Sequence, residues 1–112
     1  MSKRTVPDEL ATVHATVRQA IVDRQQLLFV YEGHRREVCP HSLGWKENRL
    51  ACFAFQFAGG SRTPLPPDGE WRCFHLDRMT EVHSRTGPWR TGPAIHLNSS
   101  CIDYFEASVE SG

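Results

Sequence analysis

Hydrophobic positions along the chain follow two different rhythms. Over residues 7–24 they recur at intervals of three and four, at Leu10, Val13, Val17, Ala20 and Ile21. That is one apolar stripe on a helix, and such a stripe must pack on something. Thr5-Val-Pro-Asp8 supplies a start signal, with proline and acidic residues in the first turn, where the helix dipole favours them. The spacing therefore predicts a helix from Pro7 to about Arg24, with His14 packed or half-exposed beside the stripe.

From Gln26 the rhythm shortens. Gln26–Glu32 is apolar, aromatic and β-branched, and reads as a strand buried on both faces. Gly33-His34 makes the turn. Arg35–Cys39 returns, and Pro40 interrupts or ends it. Ser42–Lys46 is a further strand, with Glu47-Asn48 as a tight turn. Over Arg49–Ala58 the residues alternate: Ala51, Phe53, Phe55 and Phe57 share one face, and Leu50, Cys52, Ala54 and Gln56 the other. The three phenylalanines read as core. Residues 59–69 form a breaker-rich loop. Glu70–Leu76 is a strand, Asp77-Arg78 a turn or bulge, and Met79–Ser84 another strand.

Beyond Thr86 there is no periodicity, so residues 86–112 read as an irregular tail. Ile102, Tyr104 and Phe105 are apolar enough to dock it on the body, with the last residues frayed. One helix followed by five or six short antiparallel strands is an α+β protein. Short, twisted strands favour a small closed barrel, which abolishes edges, with the helix over its open end. The expectation is a single domain over residues 1–112: helix about 7–24, barrel about 26–85, tail 86–112.

Composition narrows the class only slightly. With 112 residues, 39% hydrophobic and 23% charged, the chain is neither collagen-like nor wholly disordered. No apolar run approaches the roughly 18–20 residues of a membrane span. Met1–Glu9 carries positive charge but no apolar stretch follows, so a cytoplasmic protein without membrane association is expected. The formal net charge is zero, which excludes a strongly basic nucleic-acid coat as a whole-chain property. All 13 basic residues lie in 1–100 against 10 of the acidic ones, so a modest basic face is available beside an acidic end.

Cys39, Cys52, Cys73 and Cys101 form no C-x-x-C pair. They are expected as reduced, buried fillers. The six histidines are scattered, and no zinc spacing occurs. Neither a metal nor a cofactor is expected. G-x-S-x-G, P-loop and G-x-G-x-x-G motifs are absent. Cys73 and His75, two apart on one strand face, are the weak remaining candidate for a nucleophile and base. The chain is not expected to be an enzyme.

Arg35, Arg36, Arg49, Arg72 and Arg78 come from separate strands. Planar guanidinium forks bind phosphate bidentately, so several converging on one face make a site for an anion. Trp45 or Trp71 nearby is suited to stacking a base, and His41 to donating to phosphate. The candidate ligand-binding set is Arg36, His41, Trp45, Arg49, Arg72 and Arg78. The plainer reading of the same residues is structural: Asp77 pairing with Arg78 in a turn, Arg35 and Arg36 as a charged edge, and Trp71 as packing.

The ordered set Ala20-Ile21, Tyr31, Arg36, Pro40 and Leu43 leads to Arg72-Cys-Phe-His-Leu-Asp-Arg78-Met79. This last run resembles the Arg-x-Phe-x-Leu-Asp-Arg-Ile signature of the WYL domain, and the resemblance spans about residues 17–83. It implies a small Sm/SH3-like barrel and a regulatory, ligand-sensing role in transcription or phage defence, often with a nucleic acid or nucleotide as ligand. Two departures stand out. Leu50-Ala51-Cys52 occupies the place of the Trp-Tyr-Leu run, so Ala51 replaces the tyrosine that helps form the family's polar groove. About 16 residues precede the match, too few for the winged helix that usually stands before this domain. Two functions are expected from this set. One is a non-enzymatic module that binds an anionic ligand, a single-stranded nucleic acid or nucleotide, and acts through a partner or homo-oligomer. The other is a protein-interaction or assembly module without a small ligand, with the Phe-rich strand partly exposed.

Overall fold

The computed structural model describes residues 5–92 and 100–109. A 3₁₀ turn at Asp8–Leu10 leads into α1 (Ala11–Asp23). α1 ends where Arg24 takes a left-handed conformation and its N–H bonds back to the last carbonyls, a common helix stop. The helix and its stripe thus lie where the three-and-four spacing predicts, with Val17, Ala20 and Ile21 buried. Among the described residues no helix is long and apolar enough to cross a membrane.

Six strands follow: β1 (Gln26–Tyr31), β2 (His34–Lys46), β3 (Arg49–Gly59), β4 (Glu70–His75), β5 (Thr80–Arg85) and β6 (Tyr104–Ser108). All ladders are antiparallel. The first hairpin turns at Glu32-Gly33, one residue earlier than expected, because Tyr31 pairs with His34. Glu32 (φ 53°) and Gly33 (φ 78°) both adopt positive φ, and so do Glu47 (49°) and Asn48 (66°) in the second hairpin. Positive φ at both central residues is the turn that matches strand twist.

The two strands expected on either side of Pro40 are one strand of 13 residues. Proline lacks the ladder donor, and β2 absorbs it with a register shift between Pro40 and Ser42 rather than by stopping. The sheet order is β4-β3-β2-β1-β5, with β6 paired to β2. The expected closed barrel is not what the pairing describes. Among the described residues no ladder joins β4 to β5, and the sheet is open along that path. The 3₁₀ turn Leu76–Arg78 links those two strands where a turn or bulge is expected.

The expectation of an irregular tail is corrected too. Residues 104–108 form β6, antiparallel to Ser42–Trp45. Ile102 docks as predicted, 6% exposed, but Tyr104 and Phe105 point outward, each 58% exposed.

The sheet has a core on each face. Leu50, Cys52 and Ala54 of β3 join Val17, Leu27, Phe29 and Phe74 in the cluster beneath α1. Ala51 and Phe53 point the other way and pack with Cys101, Ile102 and Trp71. Phe53 and Phe55 are buried, as their type predicts, but they lie on the face away from α1. Cys73 and Cys101 are joined by a disulfide across that face, with Cα atoms 5.7 Å apart. The expectation of four reduced thiols is therefore corrected for these two. It holds for Cys39 and Cys52, which are free and buried. Spacing along the chain carries no sign of this contact, because the bonded pair is 28 residues apart.

Candidate functional site

The end of β1 organises the site. Phe29, Tyr31 and Phe74 meet edge-to-face, with centroids 4.9 Å apart for Phe29–Phe74 and 5.0 Å for Tyr31–Phe74. The Tyr31 hydroxyl accepts the His75 backbone N–H at 3.0 Å, which ties β1 to β4. The turn at Glu32-Gly33 then folds β2 back, so that Arg36 lies opposite Phe29.

Arg36 is 3% exposed. Its Nε and Nη2 donate to the Tyr31 carbonyl at 3.3 and 3.1 Å, and Nη1 donates to Gln56 Oε1 at 3.3 Å. Nη2 also reaches Glu32 Oε1 at 3.5 Å. The guanidinium lies 5.5 Å from the ring centroids of both Tyr31 and Phe74. A guanidinium has five N–H donors, so these contacts leave Arg36 one to offer. Fully buried Gln56 donates in turn to the carbonyls of Ala58 and Gly60 and anchors the loop that follows β3.

Beside Arg36 lies an open pocket of about 370 Å³, lined by Tyr31, Glu32, Arg36, Thr63, Glu70, Trp71, Arg72, Cys73 and Phe74. Arg72 sits opposite Ala54 on β4. Its Nη2 donates to Glu70 Oε1 at 2.7 Å, while its buried Nε has no partner among the described residues. Arg78 closes the group from the 3₁₀ turn. It is half-exposed, 3.2 Å from Glu32 Oε2, and its guanidinium lies 5.3 Å from the Tyr31 ring centroid. Burial, together with the like charge of Arg72, lowers the Arg36 pKa against the opposing pull of Glu32 and Tyr31. Two guanidinium groups are thus held close enough to repel. Glu32 serves both Arg36 and Arg78, and Glu70 serves Arg72, so three cations share two carboxylates.

Arg36, Arg72 and Arg78 are therefore brought together, and the other three candidates lie elsewhere. Arg49 is tied to Asp77 by two hydrogen bonds, 3.0 Å from Nε and 2.7 Å from Nη2. That contact raises the Arg49 pKa and lowers the Asp77 pKa. Trp45 is buried among the residues beneath α1, and its Nε1 donates to Glu106 at 2.7 Å.

His41 is buried on the opposite face, beside Trp71 (4.7 Å) and Trp89 (4.9 Å). Its Nδ1 is 2.8 Å from the Cys39 carbonyl and its Nε2 is 3.1 Å from the Thr91 hydroxyl. A carbonyl accepts only, so Nδ1 carries the proton, and Nε2 accepts from Thr91 in the neutral ring. Burial lowers the His41 pKa, which keeps the ring neutral. Trp71, by contrast, lines the pocket with one part of its surface and stacks on Phe53 with another, at 4.8 Å and an interplanar angle of 7°.

The Cys73/His75 pair is removed as a nucleophile and base, because Cys73 is held in the disulfide. Sequence reasoning missed Glu32, Glu70 and Gln56. The available signals were Glu32 and Arg36 facing each other across a tight turn, and Glu70 two residues before Arg72 on one strand face. Ala51, at the position of the family tyrosine, is fully buried in the cluster with Cys101 and Ile102. Among the described residues no group of acidic, histidine and cysteine side chains is arranged to hold a metal ion.

The WYL domain model matches residues 12–84, a little more of the helix than the resemblance above covers. Among solved structures, proteasome accessory factor B/C (PafBC) of Arthrobacter aurescens is similar, with a TM-score of 0.60 and 24% identity. The similarity covers 74% of this chain and only 13% of that one, and what it shows is a shared fold. No curated protein matches the chain.

Proposed function

We propose, on the premise that this chain belongs to the WYL domain family, that it is a non-enzymatic regulatory module recognising an anionic ligand. The ligand is a nucleotide or a single-stranded nucleic acid, and the module acts through a partner or an oligomer. Arg72 and Arg78 contact the phosphate, while Arg36 supplies charge from behind and holds the pocket wall. Trp71 offers its exposed part to a base. The observation that carries this reading is the crowding of Arg36 and Arg72 around an open pocket, with the Arg72 Nε buried and without a partner among the described residues. A phosphate would relieve the repulsion and take up that N–H, and bidentate geometry suits it to the guanidinium fork.

Fluorescence polarisation with a labelled short single strand tests the reading. Micromolar binding is expected, weakening with salt at a logarithmic slope of about −1.4 for two neutralised phosphates. Affinity that ignores salt, or that survives Arg72→Ala with Arg78→Ala, overturns the assignment.

A second reading, assembly without a small ligand, draws support from β6, whose Tyr104 and Phe105 are each 58% exposed. It predicts a concentration-dependent oligomer by light scattering that Phe105→Ser dissolves, with no ligand-induced rise in melting temperature. The Phe-rich strand offers no such surface, since Phe53 and Phe55 are covered.

A further inference from the structure

The C-terminal segment covers part of the face of the sheet away from α1 with Cys101 and Ile102, while Ala107 and Val109 pack on the cluster beneath α1. Cys101 and Ile102, 7% and 6% exposed, pack on Ala51 and Phe53. β6 then runs along Ser42–Trp45, and backbone bonds from Asp103 to Trp45 and from Val109 to His41 close the segment at both ends. Gly44 is the point of closest approach. A Cβ there would fall inside the Tyr104 carbonyl and 2.5 Å from the Ile102 side chain.

One covalent bond besides the chain itself fastens this segment, the Cys73–Cys101 disulfide. Its two ends differ. Cys101 is buried, while Cys73 is exposed and lies on β4, the end strand of the sheet path. Cys73 is therefore the end of the bond nearer to solvent. The two other cysteines are poor competitors for exchange: both are buried, and burial pushes the Cys52 thiol up to about 12. Cys73 also lines the arginine pocket, so the bond joins a pocket wall to the covering segment.

We propose that Cys73–Cys101 is a redox-responsive latch, opened by a small dithiol or a dithiol protein, that releases residues 100–109 from the sheet. The reductant thiolate attacks Cys73 Sγ, the Cys73–Cys101 bond breaks, and Cys101 leaves as a thiolate that takes up a proton. The second thiol of the reductant then attacks the mixed disulfide. Cys73 is returned as a thiol, and the reductant is oxidised to its disulfide. Release uncovers Ala51, Phe53 and the inner part of Trp71, and frees the Ser42–Trp45 edge of β2, an open template for a strand. The latch stands independently of the anion-binding reading.

Hydrogen exchange read by mass spectrometry tests this on the full chain in three forms: air-oxidised, reduced with dithiothreitol, and oxidised Cys101→Ser. The amides of Tyr104–Ser108 are expected to exchange at least about tenfold faster in the second and third forms than in the first. Those of the β1–β2 hairpin are expected to stay protected in all three. If Cys101→Ser does not fold, the reduced wild-type chain decides. Equal protection of residues 104–108 in oxidised and reduced protein overturns the latch. Loss of protection throughout the reduced chain also overturns it, since the bond would then hold up the whole fold. Alkylation of all four cysteines in the unreduced chain overturns it as well.

Discussion

At the scale of single residues, the three clustered arginines do different work. Arg36 is spent on structure: three of its contacts are to Tyr31 and Gln56, inside the fold. Arg36→Met leaves the Gln56 oxygen and the Tyr31 carbonyl without their donor, and is expected to cost about 3 kcal/mol in a urea denaturation. Arg78→Ala touches a rim contact and is expected to change stability by no more than about 0.5 kcal/mol, whereas Arg72→Ala removes a mostly buried side chain and is expected to cost about 1 kcal/mol. Ligand affinity should respond in the opposite order of severity, with Arg78→Ala alone lowering it several-fold at unchanged melting temperature. The convergence of Arg36, Arg72 and Arg78 was legible in part, because arginines on two strands and the turn beside them have few faces of a small sheet to occupy. Their carboxylate partners were not, because ion pairing depends on register. His41 and Trp45 were chosen by residue type. Val38 and Leu43 both reach the core beneath α1 although they are five apart. The bulge at Pro40–Ser42 reverses the alternation between them, so face assignments made before Pro40 do not carry past it.

At the scale of elements, α1 and the boundaries of β3, β4 and β5 followed from periodicity. β6 did not, since Tyr104–Ser108 exposes both of its aromatic side chains and reads as a tail. What places it is partnership with β2 and two side-chain ties. His14 of α1 and Trp45 of β2 each hold one oxygen of Glu106, both at 2.7 Å. Burial pushes the Glu106 pKa up, but the hydrogen bonds from His14 and Trp45 and the charges of His14 and Arg18 outweigh it, and the net shift is downward. A carboxyl with a lowered folded pKa contributes stability above its ordinary value, lost as pH falls through the folded one. Melting temperatures of wild type and Glu106→Gln should therefore differ at neutral pH and converge on acidification below the ordinary glutamate range. A constant gap would deny the carboxylate this role. Gly44→Ala probes the same element sterically. It should lower stability by about 1–3 kcal/mol through displacement of β6, measured by denaturation, with exchange at residues 104–108 rising first.

At the scale of the whole molecule, one open sheet carries two cores, with α1 over one face and Cys101 and Ile102 on the other. The α+β class was readable from the change of rhythm at Gln26, while the sheet order β4-β3-β2-β1-β5 was not. The second cover was not, because it depends on contacts from residues 100–109 back to β2, β3 and β4. The arginine pocket lies at the border of the two cores, where Tyr31 and Phe74 belong to one and Trp71 and Cys73 touch the other. A ligand bound there would touch residues of both clusters at once. If an anion binds through Arg72 and Arg78, both side chains must respond to it. The arginine Nε–Hε resonances, followed by NMR while a short single-stranded oligonucleotide is titrated in, report this. Saturable shifts are expected at Arg72 and Arg78, with Arg49, held by Asp77, unmoved; stationary Arg72 and Arg78 signals at saturating ligand would rule the site out.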